Sequence, residues 1–383
     1  MASRRPWATR SDATRVQVTR GRPWRRASQA CRAACLVLGL LANAAAMAET
    51  LLVVRKTDNA VDFIDPGSGL RLASVATGFA PHEISVSPDG RQAVVSNYGT
   101  RDEPGSSISV LDLEQPGELR RIDLAPHSRP HGVAWYAPDR VAVTTEGSRS
   151  LLLVDPVAGR IVQAIATEQE TSHMVAVSAD AKRAYVTNLG SGTTTAIDLV
   201  AGRKLADLPT GAGSEALAVS PDGRELWVAA RAEGQVAIVD TASLQVTAKV
   251  PVPGMPIRIA MTPDGQAALV SCAQSSDIVL VDVAGRAERA RRHIEVPPAP
   301  GATLRPFAQL APGSALPVGL LLSGDGSSAY VAATMGDSVI QFDRRTLASV
   351  RTIAVAGEPD GLARTDVQPR AVCHGCKPLP GGP

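Results

Sequence analysis

Three histidines and one glutamate recur at matching positions along this chain. His82, His173 and Glu215 each lie seven residues before an aspartate that belongs to a predicted tight turn. His131 lies eight residues before its turn aspartate, and it follows a proline as His82 does. Imidazole and carboxylate groups are ligands for transition metals, and they also act as general acids and bases. A repeated fold that brings these positions together would therefore create a site for metal binding or acid–base chemistry.

The turn motif reveals the repeat that must position these groups. Ser87-Pro88-Asp89-Gly90 separates two runs of alternating apolar residues, and its proline and glycine favour a tight hairpin turn. Successive turn aspartates further along are 41, 42 and 42 residues apart: Asp139, Asp180, Asp222 and Asp264. Four strands in about 40–45 residues are typical of one propeller blade.

The two ends of the chain predict how the ring of blades closes. The segment from Thr50 contributes three strands without a first strand, whereas the last repeat, from Pro359, contributes only a first strand. We therefore predict an all-β, seven-bladed β-propeller whose last blade combines the N-terminal strands with a C-terminal strand. Such closure removes exposed strand edges. The predicted domains are a signal peptide (1–48), the propeller (49–367) and a C-terminal tail (368–383).

One face of this propeller is predicted to carry a ligand-binding site at the mouth of the central channel. The start of each first strand and the end of each second strand lie on this face. The residues expected there are His82, Glu83, Asn97, His131, Glu146, His173, Asn188, Glu215, Arg258 and Asp360. The ligands expected for one divalent transition metal are His82, His131, His173 and Glu215. The alternative interpretation is that each histidine caps its strand by bonding to a loop carbonyl.

The first 48 residues have the order of an export signal. Residues 1–32 contain nine arginines and one acidic residue, and residues 33–48 form an apolar run that ends in Ala46-Met47-Ala48. Cleavage after Ala48 is expected, with an uncleaved anchor as the alternative. The remaining 30 basic and 36 acidic residues give a net charge of −6, which provides no reason to expect nucleic-acid binding. We expect a monomeric periplasmic or secreted protein without a membrane span, whose partner is a small molecule or a periplasmic protein.

The cysteines give weaker signals. Cys272 is isolated in a strand pattern and is interpreted as a small apolar residue. Cys373-His374-Gly375-Cys376 approaches a haem-attachment motif, but Lys377 occupies the position that the motif requires to be histidine. A local disulfide or a metal site in the tail remains an alternative to a solvated tail.

Several segments resemble the YVTN β-propeller repeat. They include the Ser87–Gly90 turn, Ala184-Tyr185-Val186-Thr187-Asn188 and Ala237-Ile238-Val239-Asp240. Together with the expected export, they make the chain similar to YncE-type periplasmic proteins over about residues 50–366. This resemblance implies a propeller with a binding or scaffold role.

Two enzyme families also resemble this layout, because streptogramin lyases and gluconolactonase-like hydrolases place a metal-assisted site at the channel mouth. They imply the alternative function, a metal-dependent lyase or lactonase-type hydrolase at the same site. The lactonase type uses mainly carboxylate and amide ligands, which this ring of residues does not reproduce. The lyase type uses histidine and fits better.

Overall fold

The computed structural model describes residues 49–302, 305, 308–309 and 311–370. The predicted signal peptide and the tail cysteines lie outside these residues. Within them, 28 strands form seven four-stranded antiparallel sheets, and one short 3₁₀ turn spans Thr334–Gly336. The prediction of an all-β, seven-bladed propeller is therefore confirmed. None of the helices in the described part is long and apolar enough to cross a membrane.

We number the blades by their first strands, so that blades 1 to 6 begin with β4, β8, β12, β16, β20 and β24, and blade 7 combines β28 with β1–β3. The strands of blades 7 and 1 are β1 (Thr50–Arg55), β2 (Ala60–Asp65), β3 (Leu70–Ala76), β28 (Pro359–Thr365), β4 (Pro81–Val86), β5 (Gln92–Gly99), β6 (Pro104–Asp112) and β7 (Gly117–Asp123). Those of blades 2 and 3 are β8 (Pro130–Ala137), β9 (Arg140–Thr145), β10 (Ser150–Asp155), β11 (Arg160–Ala166), β12 (Ser172–Val177), β13 (Arg183–Asn188), β14 (Thr193–Asp198) and β15 (Arg203–Leu208).

Blades 4 to 6 follow the same order. Their strands are β16 (Ser214–Val219), β17 (Glu225–Ala230), β18 (Gln235–Asp240), β19 (Gln245–Pro251), β20 (Pro256–Met261), β21 (Ala267–Cys272), β22 (Asp277–Asp282), β23 (Ala287–His293), β24 (Pro317–Leu322), β25 (Ser328–Ala333), β26 (Ser338–Asp343) and β27 (Ser349–Ala354).

The ring closes through pairing between the two ends of the propeller. β1 pairs antiparallel with β28, and Leu52 lies opposite Ala363. The first strands also contact one another in sequence around the channel, from β4 through β24 to β28 and back to β4. This arrangement confirms the predicted closure, and it brings all seven strand starts to one channel mouth.

Apolar packing between neighbouring blades holds the ring together. Second and third strands are largely buried along their length; β17 and β18, for example, pack Trp227 and Ile238 against Val270 and Val279 of the next blade. Each interface stabilises the ring by about 25 cal/mol for every Å² of apolar surface that it removes from water. The outermost strands instead alternate between exposed and at least half-buried side chains, as β19 does.

The turn aspartates fix the hairpins at the end of the first strands, away from the strand starts. Ser87 Oγ donates to Asp89 Oδ1 at 2.6 Å, and the Arg91 amide donates to the same oxygen at 3.1 Å. Gly90 adopts φ +75°, a left-handed conformation that glycine accepts without steric cost. The same hydroxyl–carboxylate bond recurs at Asp180, Asp222, Asp264 and Asp325. These aspartates therefore have a structural role.

Candidate functional site

Every blade begins with the same backbone arrangement. The residue before each first strand has a positive φ: Ala80, Arg129, Thr171, Gly213, Met255, Leu316 and Glu358. In each blade the carbonyl of this residue accepts a hydrogen bond of 2.9–3.3 Å. The donor is the backbone amide of the residue that follows the last second-strand residue paired with the first strand. A register shift in the first strand comes next. Irregularities of this kind redirect side chains and are common beside functional sites.

This arrangement creates two rings of side chains. The inner ring is the second residue of each first strand: His82, His131, His173, Glu215, Ile257, Val318 and Asp360. The outer ring is the residue whose amide makes the hydrogen bond just described: Tyr98, Glu146, Leu189, Arg231, Ala273, Thr334 and Lys56. Both rings are therefore set by one left-handed residue per blade.

The two rings enclose one cavity of about 550 Å³ at the channel mouth. All fourteen ring residues except Ala273 line it, together with Thr171, Arg258, Gln309 and Leu316. Blades 7 and 1 to 4 contribute all the ionisable residues of the two rings. Blades 5 and 6 contribute Ile257, Val318 and Leu316 together with Arg258 and Thr334, so this side is largely apolar and the opposite side is polar.

The three ring histidines form a stack across blades 1 to 3. The ring centroids of His82 and His131 are 4.9 Å apart, and those of His131 and His173 are 3.8 Å apart. Burial and the charges of His173 and His82 hold the pKa of His131 well below its usual value. His131 is therefore neutral at physiological pH, and one of its ring nitrogens is free to accept a hydrogen bond or bind a metal.

His173 lies between two carboxylates. Its Nδ1 is 2.7 Å from Glu146 Oε1, and its Nε2 is 3.0 Å from Glu215 Oε1. Burial opposes the charged ring, but the charge of Glu215 and the hydrogen bonds to both carboxylates outweigh it and raise the pKa of His173 to about 9. Conversely, His173 with Arg231 and Arg258 overcomes burial and lowers the pKa of Glu215 to about 2.

A second ionic cluster joins blades 7 and 1. Asp360 Oδ2 is 2.8 Å from His82 Nδ1 and 3.4 Å from Lys56 Nζ. Burial acts against ionisation of Asp360, but Lys56 and His82 lower its pKa overall. Burial and the nearby Lys56 charge lower the pKa of His82. Arg258 crosses the channel to pair with Glu83 of blade 1.

Two buried polar atoms of this site have no hydrogen-bond partner among the described residues: His131 Nδ1 and Asp360 Oδ1. A buried polar group without a partner costs about 1–3 kcal/mol, so such atoms in a cavity mark positions where a ligand gains affinity.

Hydroxyl groups and a glycine hold the inner ring in place. Thr144 Oγ1 donates to the His173 carbonyl at 2.5 Å and accepts from the Gly132 amide at 2.8 Å, so it ties blade 2 to blade 3. Thr187 Oγ1 donates in the same way to the Glu215 carbonyl at 2.7 Å. A Cβ at Gly132 would lie 2.8 Å from the His173 oxygen, so only glycine permits this approach.

The structure gathers most of the residues expected from the sequence, but not all. Asn97 and Asn188 do not line the cavity, because their amides bond to Ser109 and Thr195 within the blades. Cys272 is fully buried in the core between blades 4 and 5. Glu83 acts through its ion pair with Arg258 and is not a cavity residue.

The group best placed for a metal differs from the predicted ligand set. His131, Glu146 and His173 each offer a ligand atom, and these atoms lie within 4.8 Å of one another. His82 is instead bonded to Asp360, and Glu215 is bonded to His173 and Arg231. These ion pairs form only because the ring brings distant blades together, so spacing in the sequence does not reveal them.

Comparisons with known proteins agree with a propeller fold. Residues 136–304 match the family model of the cytochrome D1 heme domain, which is less than half of the chain. A comparison with curated proteins finds no match.

Solved structures give similar folds at low sequence identity. The Pseudomonas aeruginosa periplasmic gluconolactonase PpgL has 18% identity and a TM-score of 0.66, over 83% of this chain and 99% of that one. Kuenenia stuttgartiensis hydrazine synthase has 20% identity and a TM-score of 0.64, over 78% and 93%. The dihydro-heme d1 dehydrogenase NirN, solved in complex with DHE, has 16% identity and a TM-score of 0.58, over 83% and 75%. These similarities establish the β-propeller fold.

Proposed function

We propose that this chain is an exported binding propeller that holds a small molecule with a polar edge and an apolar face in the channel cavity. The observation that carries the proposal is the cavity itself, whose charged side lies opposite Ile257, Val318 and Leu316. His131 Nδ1 and Asp360 Oδ1 add two buried atoms that a polar ligand edge would satisfy. Concave cavities in which a few polar groups converge beside apolar side chains are the usual form of small-molecule sites.

The assignment to the YVTN-repeat family and to the periplasm belongs to the same proposal. The repeated turns and the arginine-rich, apolar N-terminal segment support it. A periplasmic gluconolactonase among the similar structures is consistent with it. We propose that the protein acts as a monomer, and a periplasmic protein docked at the channel mouth is the alternative partner.

Thermal unfolding with a panel of small hydroxy acids, lactones and haem tests the binding role. A probe at about 100 times its Kd stabilises the folded state by about 2.7 kcal/mol, which is a measurable rise in Tm. Val318→Arg should abolish the rise because it places a charge on the apolar side of the cavity. Val350→Arg, on an exposed position of β27, is the matched control. A rise that Val318→Arg leaves intact, or no rise with any probe, would contradict the proposal.

Metal-assisted hydrolysis or elimination at this cavity is the second candidate function. The grouping of His131, Glu146 and His173 favours it, because two imidazoles and one carboxylate are a known ligand set of catalytic zinc. Turnover of a lactone or cyclic ester that Glu146→Gln abolishes would support this function. Turnover that is absent from metal-loaded protein, or unchanged in Glu146→Gln, would exclude it.

A further inference from the structure

We infer that His131, Glu146 and His173 bind one divalent transition metal of the zinc class, and that Glu215 and Tyr98 orient two of these ligands without binding the ion. The inference rests on the proposed role of the cavity as a binding site and adds a specific ion and ligand set to it. It replaces the set His82, His131, His173 and Glu215 that sequence spacing favours.

The distances between the three side chains suit one ion. Their ligand atoms lie within 4.8 Å of one another, and Glu146 Oε1 is 2.7 Å from His173 Nδ1. Bonds of about 2.0–2.2 Å in a tetrahedron place ligand atoms about 3.4 Å apart, so small side-chain rotations would admit the ion once it displaces the Nδ1 proton of His173 to solvent. His131 is 4% exposed, and its Nδ1 has no partner among the described residues, so one buried ligand is already available.

The surrounding hydrogen bonds have the pattern that metal ligands usually show. A ligating histidine commonly donates its second ring N–H to a carboxylate, which fixes the ring orientation. His173 Nε2 has this partner in Glu215 Oε1 at 3.0 Å, and Glu215 is itself held by Arg231 at 2.7 Å. Glu146 keeps Oε1 toward His173, while its Oε2 accepts a hydrogen bond from the Tyr98 hydroxyl at 2.6 Å.

The fourth coordination position would face the cavity. All three proposed ligands line the cavity, so three protein ligands leave one position for water or for an oxygen of the bound molecule. A site with three protein ligands and one open position is typical of catalytic zinc, whereas structural zinc sites are closed by four. The nearby Arg258 and Lys56 do not add unbalanced positive charge, because Glu83 and Asp360 pair with them.

Co²⁺ titration of metal-free protein tests the site directly, because the visible absorption of bound Co²⁺ reports its ligands. We expect one equivalent to bind with a four-coordinate spectrum. His131→Ala and Glu146→Gln should lose it, and Glu146→Gln preserves the side-chain volume in case His131→Ala does not fold. Glu215→Gln should retain the spectrum but weaken binding by about 10- to 100-fold.

Two further histidine variants separate this ligand set from the alternatives. His82→Ala should keep the four-coordinate Co²⁺ spectrum, even where the loss of the ring that packs on His131 weakens binding, because His82 is bonded to Asp360 and supplies no ligand atom. His293→Ala removes an exposed histidine that is paired with Asp277 and serves as the matched control. Less than a tenth of an equivalent of Co²⁺, or binding that Glu146→Gln does not change, would overturn the inference. Small-molecule binding by metal-free protein is measured separately, so the metal site can fail while the proposed binding role stands.

Discussion

Replacing Glu215 with glutamine should strongly destabilise the protein, and by an amount that depends on pH. Glu215 is 6% exposed and receives His173 Nε2 at 3.0 Å and Arg231 Nη1 at 2.7 Å. Removing one partner of a buried ion pair typically costs about 3–5 kcal/mol. We expect Glu215→Gln to lower the free energy of unfolding of the metal-free protein by about 3 kcal/mol at pH 6.5, as measured by urea denaturation in the presence of a chelator.

The pH dependence follows from the raised pKa of His173. A histidine whose folded-state pKa is about 9 contributes stability that is fully present below its unfolded value of about 6.5 and is lost as the pH rises through 9. The whole shift corresponds to about 3 kcal/mol. Glu215→Gln removes part of this contribution and Glu146 retains the rest, so the difference between wild type and variant should shrink by about 2 kcal/mol from pH 6.5 to pH 9.5. Other titrating groups, such as Lys56, are common to both proteins.

A surface variant provides the control for this experiment. Glu170 is 65% exposed and lies 3.8 Å from Arg149, and such pairs contribute at most about 1 kcal/mol. Glu170→Gln should therefore change stability little at either pH. A loss below about 1 kcal/mol for Glu215→Gln at pH 6.5, or a loss that is the same at both pH values, would refute the ionic description of His173.

Three further predictions concern the frame of the site. Thr144→Val should cost about 1–3 kcal/mol in urea unfolding, because the His173 carbonyl and the Gly132 amide lose their shared hydroxyl partner. Gly132→Ala should cost about 1–3 kcal/mol by the same measurement and weaken probe binding. Gly117→Ala, whose Cβ would meet nothing closer than 3.6 Å, should be nearly neutral. Equal losses of stability in the two variants would contradict the close packing at Gly132. Cys272 should resist iodoacetamide at pH 8 until urea unfolds the protein, because burial raises its pKa to about 12. Rapid labelling of the Cys272 peptide in native protein, measured by mass spectrometry, would contradict its place in the core.

The fold was accessible from the sequence because its signals are local and repeated. Each turn with a serine or threonine, an aspartate and usually a glycine needs only neighbouring residues to form, as Ser87 and Asp89 show. Counting seven residues back from each turn aspartate also located the inner-ring residues His82, His173 and Glu215. Ring closure was predictable from the missing strands at the two ends.

The outer ring was harder to predict because it depends on a shift of one residue. Successive residues of a strand face opposite sides, so Asn97 points into its blade while the next residue, Tyr98, reaches the cavity. Lys56 and Arg231 occupy the same position in their blades and were missed. They could be found in the sequence by taking the residue that directly follows each predicted second strand.

The pairing between charged groups was not accessible from the sequence. Several carboxylates lie in the rings, but His173 bonds to Glu146 and Glu215. These contacts depend on distances of 3.0 Å or less between side chains of three blades. Similarly, Arg258 reaches Glu83 across the channel. Spacing along the chain gives the positions of these residues on the ring, but side-chain length and the width of the channel decide which of them meet.

A crystal structure of the metal-free protein with the probe that raises its Tm shows directly whether the channel cavity is the binding site. The bound molecule should occupy the channel cavity, with a polar atom within hydrogen-bond distance of His131 Nδ1 or Asp360 Oδ1 and its apolar face against Val318. A probe bound at the opposite end of the channel, or bound without contact to either atom, would show that this cavity is not the binding site.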